Sequence, residues 1–187
     1  MSRGGTLFVN TILGSSLVTV ESGASLGGSG NVENLVALDG ATIIPGNSPG
    51  VLSVEGNFTL DSGARLSMEI AGTTAGTDYD LLNVGGNLIL RAGSVLELTF
   101  LKGFTPHAGQ QFSLFDIGGL FTNAAAIEIG GLAPGWVFDT SFDAVGRKFT
   151  LNSLNDGIAV AAVPVTVPIW LMGSALAGLG LMRRRCG

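Results

Sequence analysis

The sequence predicts an all-β protein: a short parallel β-helix (β-solenoid) with a C-terminal β-hairpin cap and a single C-terminal transmembrane-type α-helix. Three observations support this prediction. Glycine contributes 30 of the 187 residues while charged residues make up only 12%, which favours short strands joined by turns over charged surface helices. A strand–turn–strand pattern recurs along the body of the chain. Finally, an uncharged apolar run, 163–182, leads directly into an arginine triplet.

The repeat is clearest in VEGNFTLDSGARL (54–66) and VGGNLILRAGSVL (84–96), which align without gaps at a 30-residue offset. Two earlier copies keep a shorter pattern, with turn glycines at Gly23 and Gly40. Glycine adopts a positive φ at a turn at little cost, and Val, Leu, Phe and Thr suit half-buried strand faces. Because one unit cannot bury its own apolar face, we expect the copies to stack. An antiparallel sandwich with glycine hairpins is the alternative.

Segments of different character separate and follow the copies. The two Pro-Gly pairs within 45–50 predict a rigid double turn, and AGTTAGTDYD (71–80) predicts a loop. The aromatic residues concentrated in 127–151 predict a hairpin that covers the open end of the core, where strand edges and apolar side chains would otherwise be exposed. Those aromatic residues are Trp136, Phe138, Phe142 and Phe149. The predicted units are residues 1–126 (solenoid repeats), 127–160 (capping strands and linker) and 161–187 (sorting or membrane segment).

Charge and cysteine content exclude several classes of protein. The net charge is −5 with a pI near 4.6, so the chain lacks the basic face that nucleic-acid binding requires. The single cysteine, Cys186, allows no internal disulfide. It lies beyond the arginines and is interpreted as an incidental terminal residue, with lipidation as the alternative.

Few residues carry recognisable chemistry. His107 is the only histidine, so no zinc cluster and no Ser–His or Cys–His pair can form, and we interpret it as a surface turn residue. Asp78 and Asp80 flank Tyr79, and alternate residues of an extended segment would point the same way. They are interpreted as turn-capping aspartates, with a weak Ca²⁺ site as the alternative. We therefore predict no catalytic, cofactor-binding or metal-binding residues and no cofactor.

The C-terminal tail is long enough to cross a bilayer, because about 20 helical residues span roughly 30 Å. Arginines at its end would hold that end in the cytoplasm. Pro164 and Pro168 disfavour helix immediately before themselves and predict an extended segment accessible to a processing enzyme. A plain membrane anchor and a buried helix of a soluble domain are the alternatives. The N-terminal residues 1–17 are interpreted as a strand rather than a secretion signal, so we expect export to depend on a segment upstream.

Three segments of the body, taken in order, resemble the β-helical passenger region of bacterial autotransporter-type adhesins. They are GATIIPGNSPGVLSVEGNFTLDSGARL (40–66), AGTDYDLLNVGGNLIL (75–90) and LKGFTPHAGQQFSLFD (101–116). The resemblance extends over about residues 20–151 and implies a right-handed parallel β-helix.

The tail resembles the PEP-CTERM class of sorting signals of Gram-negative bacteria, which begin with a Val-Pro motif and end in arginines. The matching residues are Val163, Pro164, Pro168, Trp170, Gly173, Ser174, Arg183, Arg184 and Arg185. The tail departs from the class at Thr166, where a second proline is expected. The resemblance implies processing by an exosortase-type membrane transpeptidase, anchoring in the inner membrane before processing, and delivery to the cell surface or the exopolysaccharide matrix.

Together these observations predict a non-enzymatic exported protein with a structural or adhesive role. Its expected partners are the transpeptidase, the lipid bilayer and an exopolysaccharide. The alternatives are a β-helical polysaccharide-active enzyme and a truncated, non-functional gene product. Convergence of three or more carboxylates in one groove would favour the enzyme, because glycoside cleavage needs paired carboxylates at the scissile bond.

Overall fold

The computed structural model describes residues 4–14, 17–101 and 103–157, which form strands joined by turns and loops. The expected transmembrane-type helix lies in 161–187, outside the described residues. In the described part of the chain, no helix is long and apolar enough to cross a membrane.

Within these ranges the chain forms short strands that follow one another closely. They are β1 (Thr6–Phe8), β2 (Ile12–Leu13), β3 (Val18–Val20), β4 (Ser25–Gly28), β5 (Asn31–Val32), β6 (Leu35–Ala37), β7 (Thr42–Pro45), β8 (Val51–Val54), β9 (Phe58–Leu60), β10 (Arg65–Ile70), β11 (Leu81–Val84), β12 (Leu88–Leu90), β13 (Val95–Phe100), β14 (Gln111–Ile117), β15 (Phe121–Asn123), β16 (Ala126–Gly130), β17 (Phe138–Asp143) and β18 (Lys148–Ser153).

The strands form three sheets, and every third strand returns to the same sheet. Sheet A has the order β1-β4-β7-β10-β13-β16, sheet B β2-β5-β8-β11-β14-β18-β17, and sheet C β3-β6-β9-β12-β15. All pairs are parallel except β14–β18 and β17–β18. Three strands therefore complete one coil of a parallel β-solenoid. The predicted parallel stacking is confirmed, and the antiparallel sandwich is wrong for the body.

The 30-residue repeat corresponds to one coil of the solenoid. Leu66 pairs with Leu96 between β10 and β13, and Phe58 pairs with Leu88 between β9 and β12. Inward side chains stack on their equivalents one coil away and are buried, whereas alternate residues face outward, as a two-residue strand period requires. The resulting core is continuous from Val9 to Leu151.

A turn between sheets C and A is the same in four successive coils; we call these turns (21–24, 38–41, 61–64 and 91–94) the glycine corner. The glycines at 23, 40, 63 and 93 all have φ between +75° and +86°, a region that side chains with a Cβ disfavour. They also bond directly to one another. The N–H of Gly23 donates to the carbonyl of Gly40 at 3.0 Å, Gly40 to Gly63 at 3.1 Å, and Gly63 to Gly93 at 2.9 Å.

The turn between sheets B and C also repeats; we call its residues 33–34, 55–57 and 85–87 the asparagine corner. The Asn34 side-chain oxygen accepts the backbone N–H of Asn57 at 2.9 Å, and Asn57 accepts that of Asn87 at 2.9 Å. Asn87 in turn accepts the N–H of Leu120 at 2.8 Å. Each coil thereby satisfies a backbone donor of the next, which would otherwise lack an intramolecular partner at the turn.

The predicted hairpin is present after the last parallel coil. Strands β17 and β18 pair antiparallel with each other, and β18 joins sheet B through β14. Their aromatic side chains cover the end of the core. Phe149 stacks on Phe115 with ring centroids 5.0 Å apart, and Phe138 stacks on Phe100 at 5.4 Å. The prediction that these aromatic residues pack over the core is confirmed.

Candidate functional site: the loop corner

The turn between sheets A and B varies much more in length than the other two turns. It comprises residues 29–30 in one coil, then 46–50, 71–80 and 101–110 in the next three. We call these last three segments the loop corner; residue 102 within it is outside the described residues. Because successive strands in a sheet lie about 4.8 Å apart, the three loops leave the solenoid side by side along one edge.

A buried carboxylate, Asp80, connects the first two loops. Its side chain is 0% exposed. One oxygen, Oδ1, accepts the backbone N–H of Gly50 at 2.8 Å, and the other, Oδ2, accepts that of Glu69 at 2.8 Å. The Ser48 hydroxyl in the same loop donates to Glu69 Oε2 at 2.6 Å. These bonds hold the Pro-Gly loop 46–50 against the end of β10, as the predicted rigid double turn requires.

Burial raises the pKa of Asp80 to about 7, because an ionised carboxylate loses its hydration inside the protein. The two backbone N–H groups favour the ionised form and oppose this shift, while the nearby Glu69 charge adds to it. Asp80 therefore titrates near neutral pH within the corner that joins the loops.

Asp78 has a different environment from Asp80, so the two carboxylates do not share the same partners. Asp78 accepts the backbone N–H of Thr74 at 3.1 Å within the loop. Hydrogen bonds from the side chain and backbone of Thr74 lower the pKa of Asp78. Asp78 therefore caps a turn within its own loop, as interpreted from the sequence. Asp80 instead accepts N–H groups from Gly50 and Glu69 in other segments, so the turn-capping interpretation does not describe it.

The two longer loops are each anchored by an aromatic ring. Tyr79 is only 4% exposed, its ring lies edge-on to Phe112 with centroids 5.6 Å apart, and burial raises the pKa of its hydroxyl. In the next loop, Phe104 stacks on Phe100 at 6.3 Å and meets Phe112 edge-on at 6.1 Å. The loop bases are thus part of the core, which leaves the loop tips as fixed surface features.

His107 lies at the tip of the third loop and is 78% exposed, as predicted for a surface turn residue. Its backbone N–H donates to Gln110 Oε1 at 2.8 Å, and its Nδ1 lies 3.6 Å from Asp156 Oδ1. Asp156 also accepts the N–H of Ala108 at 2.7 Å. The tip is therefore fastened to the chain that follows β18.

The chemistry of this corner suits binding through shape and hydrogen bonds. Among the described residues, no group of three or more His, Cys, Asp or Glu side chains is placed to hold a metal ion. The Ser48 hydroxyl bonds to a carboxylate that also lies beside Asp80, and His107 is in a different loop. The loop corner presents backbone N–H and C=O groups, hydroxyl groups and a few charged side chains, which the anchored loops hold in fixed positions.

The residues predicted for sorting lie outside the described residues. They are Val163, Pro164, Pro168, Trp170, Gly173, Ser174, Arg183, Arg184 and Arg185, and Cys186 and Thr166 lie in the same segment. Their role stays a prediction.

Sequence reasoning did not identify the loop corner as a shared surface. The signal was present in the spacing, because most of the residues added between the later repeats fall after a sheet A strand and before a sheet B strand. Sequence reasoning also did not predict that Asp80 is buried. An aspartate at the end of a loop is ordinarily expected to be exposed to solvent, and the sequence does not show which backbone N–H groups bond to it.

Comparison with known proteins supports the resemblance of the body to autotransporter-type adhesins. The chain is 33% identical over 140 residues to the adhesin BmaC autotransporter of Brucella suis biovar 1 (strain 1330). The match covers 66% of this chain and 4% of that relative, so the chain corresponds to a small part of a much longer protein. No family model matches the chain.

Proposed function

We propose that this chain is a non-enzymatic structural or adhesive protein of the bacterial cell surface or exopolysaccharide matrix. Its body is a right-handed parallel β-helix that presents the loop corner to a partner. Its tail is a sorting signal that an exosortase-type membrane transpeptidase processes after the apolar run has anchored the chain in the inner membrane.

The similarity to an adhesin autotransporter carries the adhesive part of this proposal. A stack of parallel coils supports it, because such a scaffold holds loops from different coils in fixed positions on one edge. The right-handed sense is supported by the strong preference of parallel strand crossovers for that hand.

The sorting part of the proposal rests on the sequence of the tail. A Val163-Pro164 start, an apolar run and an arginine triplet occur in that order. The arginines favour the cytoplasmic side of the membrane, which leaves the proline segment on the outer side, next to the body.

Cell fractionation tests the sorting role. The full chain, tagged in the body and preceded by a cleavable secretion signal, is expressed in a Gram-negative host with an exosortase and in a matched strain without it. We expect a shortened protein at the surface or in the medium of the first strain, and the full-length protein in the inner membrane of the second. Full-length protein in the same fraction of both strains would contradict processing. Replacing Arg183, Arg184 and Arg185 with glycine gives the control for membrane retention.

A further inference from the structure

The two ends of the solenoid differ in how the core is covered. At the C-terminal end the hairpin β17–β18 lies over the core, where the Phe142 ring meets Phe121 with centroids 4.9 Å apart. At the N-terminal end β1, β2 and β3 are the outermost strands of sheets A, B and C, and each pairs on one side only among the described residues. We call this coil, residues 4–14 and 17–20, the open end.

The open end exposes side chains whose equivalents in the next coil are buried. Leu7 pairs with Leu26 and occupies the same inward position, but Leu7 is 51% exposed whereas Leu26 is 1% exposed. A cavity of about 280 Å³ opens into the core here, and its apolar lining includes Leu7, Val18, Val20, Ala24 and Leu26. Three further apolar side chains of this part of the chain are more than half exposed: Phe8, Ile12 and Leu17. Apolar surface gathered in this way marks a site of association.

The backbone of β1 presents a strand edge at the open end. The N–H of Val9 donates to the carbonyl of Gly27 at 2.8 Å, toward the second coil. Alternate residues of a strand direct their N–H and C=O groups to the same edge, so Leu7 also faces the second coil, whereas Thr6 and Phe8 face away from it. The groups of Thr6 and Phe8 therefore form an edge to which one more strand can bond.

The shape and charge of the open end suit a second copy of this chain. An occupant has to meet three strand edges around one core, and the end of another solenoid has that shape. The C-terminal end of a copy does not fit, because β18 and β17 extend sheet B past sheets A and C. Two open ends do fit, because residues 4–14 and 17–20 carry no charged side chain that would repel its equivalent. Glu21 is the one charged residue in the cavity lining.

We propose that two copies of this chain associate through their open ends, about a two-fold axis that passes through sheet A at Leu7. The β1 strands of the two copies pair antiparallel, so that Thr6 of each lies opposite Phe8 of the other and the two Leu7 side chains face each other over the joined core. Thr6 and Phe8 then form the hydrogen-bonded pairs and Leu7 the non-hydrogen-bonded pair, as their backbone directions require. The contact is isologous and leaves the loop corner of both copies accessible. It does not depend on the proposed sorting or adhesive function.

Disulfide trapping in the full chain tests this register. In a Cys186→Ser background, kept in detergent because of the apolar tail, Leu7→Cys is compared with Val145→Cys, which lies in the hairpin turn and is 93% exposed. Directly opposed Cβ atoms of an antiparallel pair lie about 4.5–5.5 Å apart, so we expect Leu7→Cys to form a disulfide-linked dimer at least about tenfold faster than Val145→Cys. Association through the tails alone would give the two variants equal rates, and equal rates would overturn the proposal.

An exchange of charge at Leu7 tests whether the same surface of a second copy occupies the open end. Leu7→Lys and Leu7→Glu each oppose two like charges at the axis, so each should lower the dimer fraction measured by light scattering about tenfold. An equal mixture of the two variants should recover at least about half of the wild-type dimer, because opposite charges then meet.

The control for this exchange is Leu120→Lys, at a position that is 75% exposed in a later coil, and it should change the dimer fraction less than about twofold. A monomeric wild type, a Leu7→Lys variant that remains dimeric, or a mixture that remains monomeric would overturn the proposal. Circular dichroism of each Leu7 variant checks that the strands are retained, and the Leu7→Cys result stands independently of the charged variants.

Discussion

The glycine corner joins sheet C to sheet A, the loop corner joins sheet A to sheet B, and the two corners differ in how constant their turns are. At the glycine corner every turn has the same length, and its glycines bond to one another from coil to coil. At the loop corner the connecting segment has five residues in one coil and ten in each of the next two. The difference indicates that the repeating corners set the register of the coils, while the third corner is free to vary because its loops are anchored one by one.

The two corners also differ in how they hold their backbone. Backbone-to-backbone bonds stack the glycine corner, whereas the loop corner depends on particular side chains: Asp80, Tyr79 and Phe104. Perturbing the two corners should therefore give different results.

The largest expected effect is a pH dependence that originates at the loop corner. The folded-state pKa of Asp80, about 7, is above the ordinary value of 3.8 for an exposed aspartate, so the folded state holds the proton more tightly. The stabilisation from this group is fully present below about pH 4 and is lost as pH rises to about 7, at roughly 1.4 kcal/mol per pH unit. Urea unfolding of wild type and Asp80→Asn at several pH values measures the difference between their unfolding free energies. We expect this difference to fall by up to about 4 kcal/mol between pH 4 and pH 7.

Asp78 gives a control with the opposite sign. Its pKa is lowered by the hydrogen bonds from Thr74, so its contribution is present above its unfolded pKa and is lost as pH falls through the lower folded value. The difference between wild type and Asp78→Asn should therefore change only in acid. If the difference in unfolding free energy between wild type and Asp80→Asn stays constant from pH 4 to pH 7, the buried position of that carboxyl is contradicted.

A smaller effect is expected at the glycine corner. In Gly63→Ala the new Cβ would lie 1.8 Å from Asp39 Oδ1, and φ at this position is +78°. We expect the unfolding free energy to fall by about 1–3 kcal/mol, because the positive φ alone costs about 1–2 kcal/mol and the exposed Asp39 side chain must also move away. Equilibrium urea unfolding measures this loss.

The matched control is Gly109→Ala in the loop corner. Gly109 also has a positive φ, +83°, but no atom lies within 4 Å of its added Cβ. Only the backbone cost of about 1–2 kcal/mol should remain. Equal losses of unfolding free energy in Gly63→Ala and Gly109→Ala would contradict the prediction that close packing makes the glycine corner more sensitive to substitution than the loop corner.

The smallest of the stability effects is expected at the asparagine corner. Asn57→Ala removes the oxygen that accepts the Asn87 N–H at 2.9 Å. The unfolding free energy should fall by about 1–2 kcal/mol, since a backbone donor loses its partner at a partly exposed turn. Asn47→Ala, in the exposed part of loop 46–50, is the control and should cost less than about 0.5 kcal/mol. Thermal unfolding followed by circular dichroism compares the two, and a larger loss for Asn47→Ala would reverse the predicted order.

Much of the solenoid could be predicted from the sequence because the residues that specify each coil lie close together in the chain and recur from coil to coil. The turn glycines 23, 40, 63 and 93 and the apolar alternation between them identify each coil, and the 30-residue offset between Leu66 and Leu96 is one coil length. The aromatic cluster near Phe149 indicated the closing hairpin for the same reason, since unpaired strand ends need cover.

The candidate site could not be predicted in the same way because it depends on contacts between coils. Asp80 bonds to Gly50, 30 residues away, and to Glu69, and no local pattern specifies either partner. Asp78 and Asp80 also differ in burial and in hydrogen-bond partners because Tyr79 between them is buried in the core. A strand period of two does not predict this difference.

The central claim is that the solenoid is a scaffold and the loop corner is its adhesive surface. Adhesion of beads coated with the full chain tests it, against bare glass, purified exopolysaccharide and beads carrying the same chain. Thr73→Arg with Thr77→Arg changes exposed positions of the loop corner, while Thr19→Arg with Thr122→Arg adds the same charge on the exposed outer face of sheet C. We predict that wild-type beads adhere to at least one of these targets, and that the loop-corner variant loses about tenfold or more, a change of about 1.4 kcal/mol, while the sheet C variant stays within about twofold. Equal losses in both variants, or no adhesion by the wild type, would contradict the account.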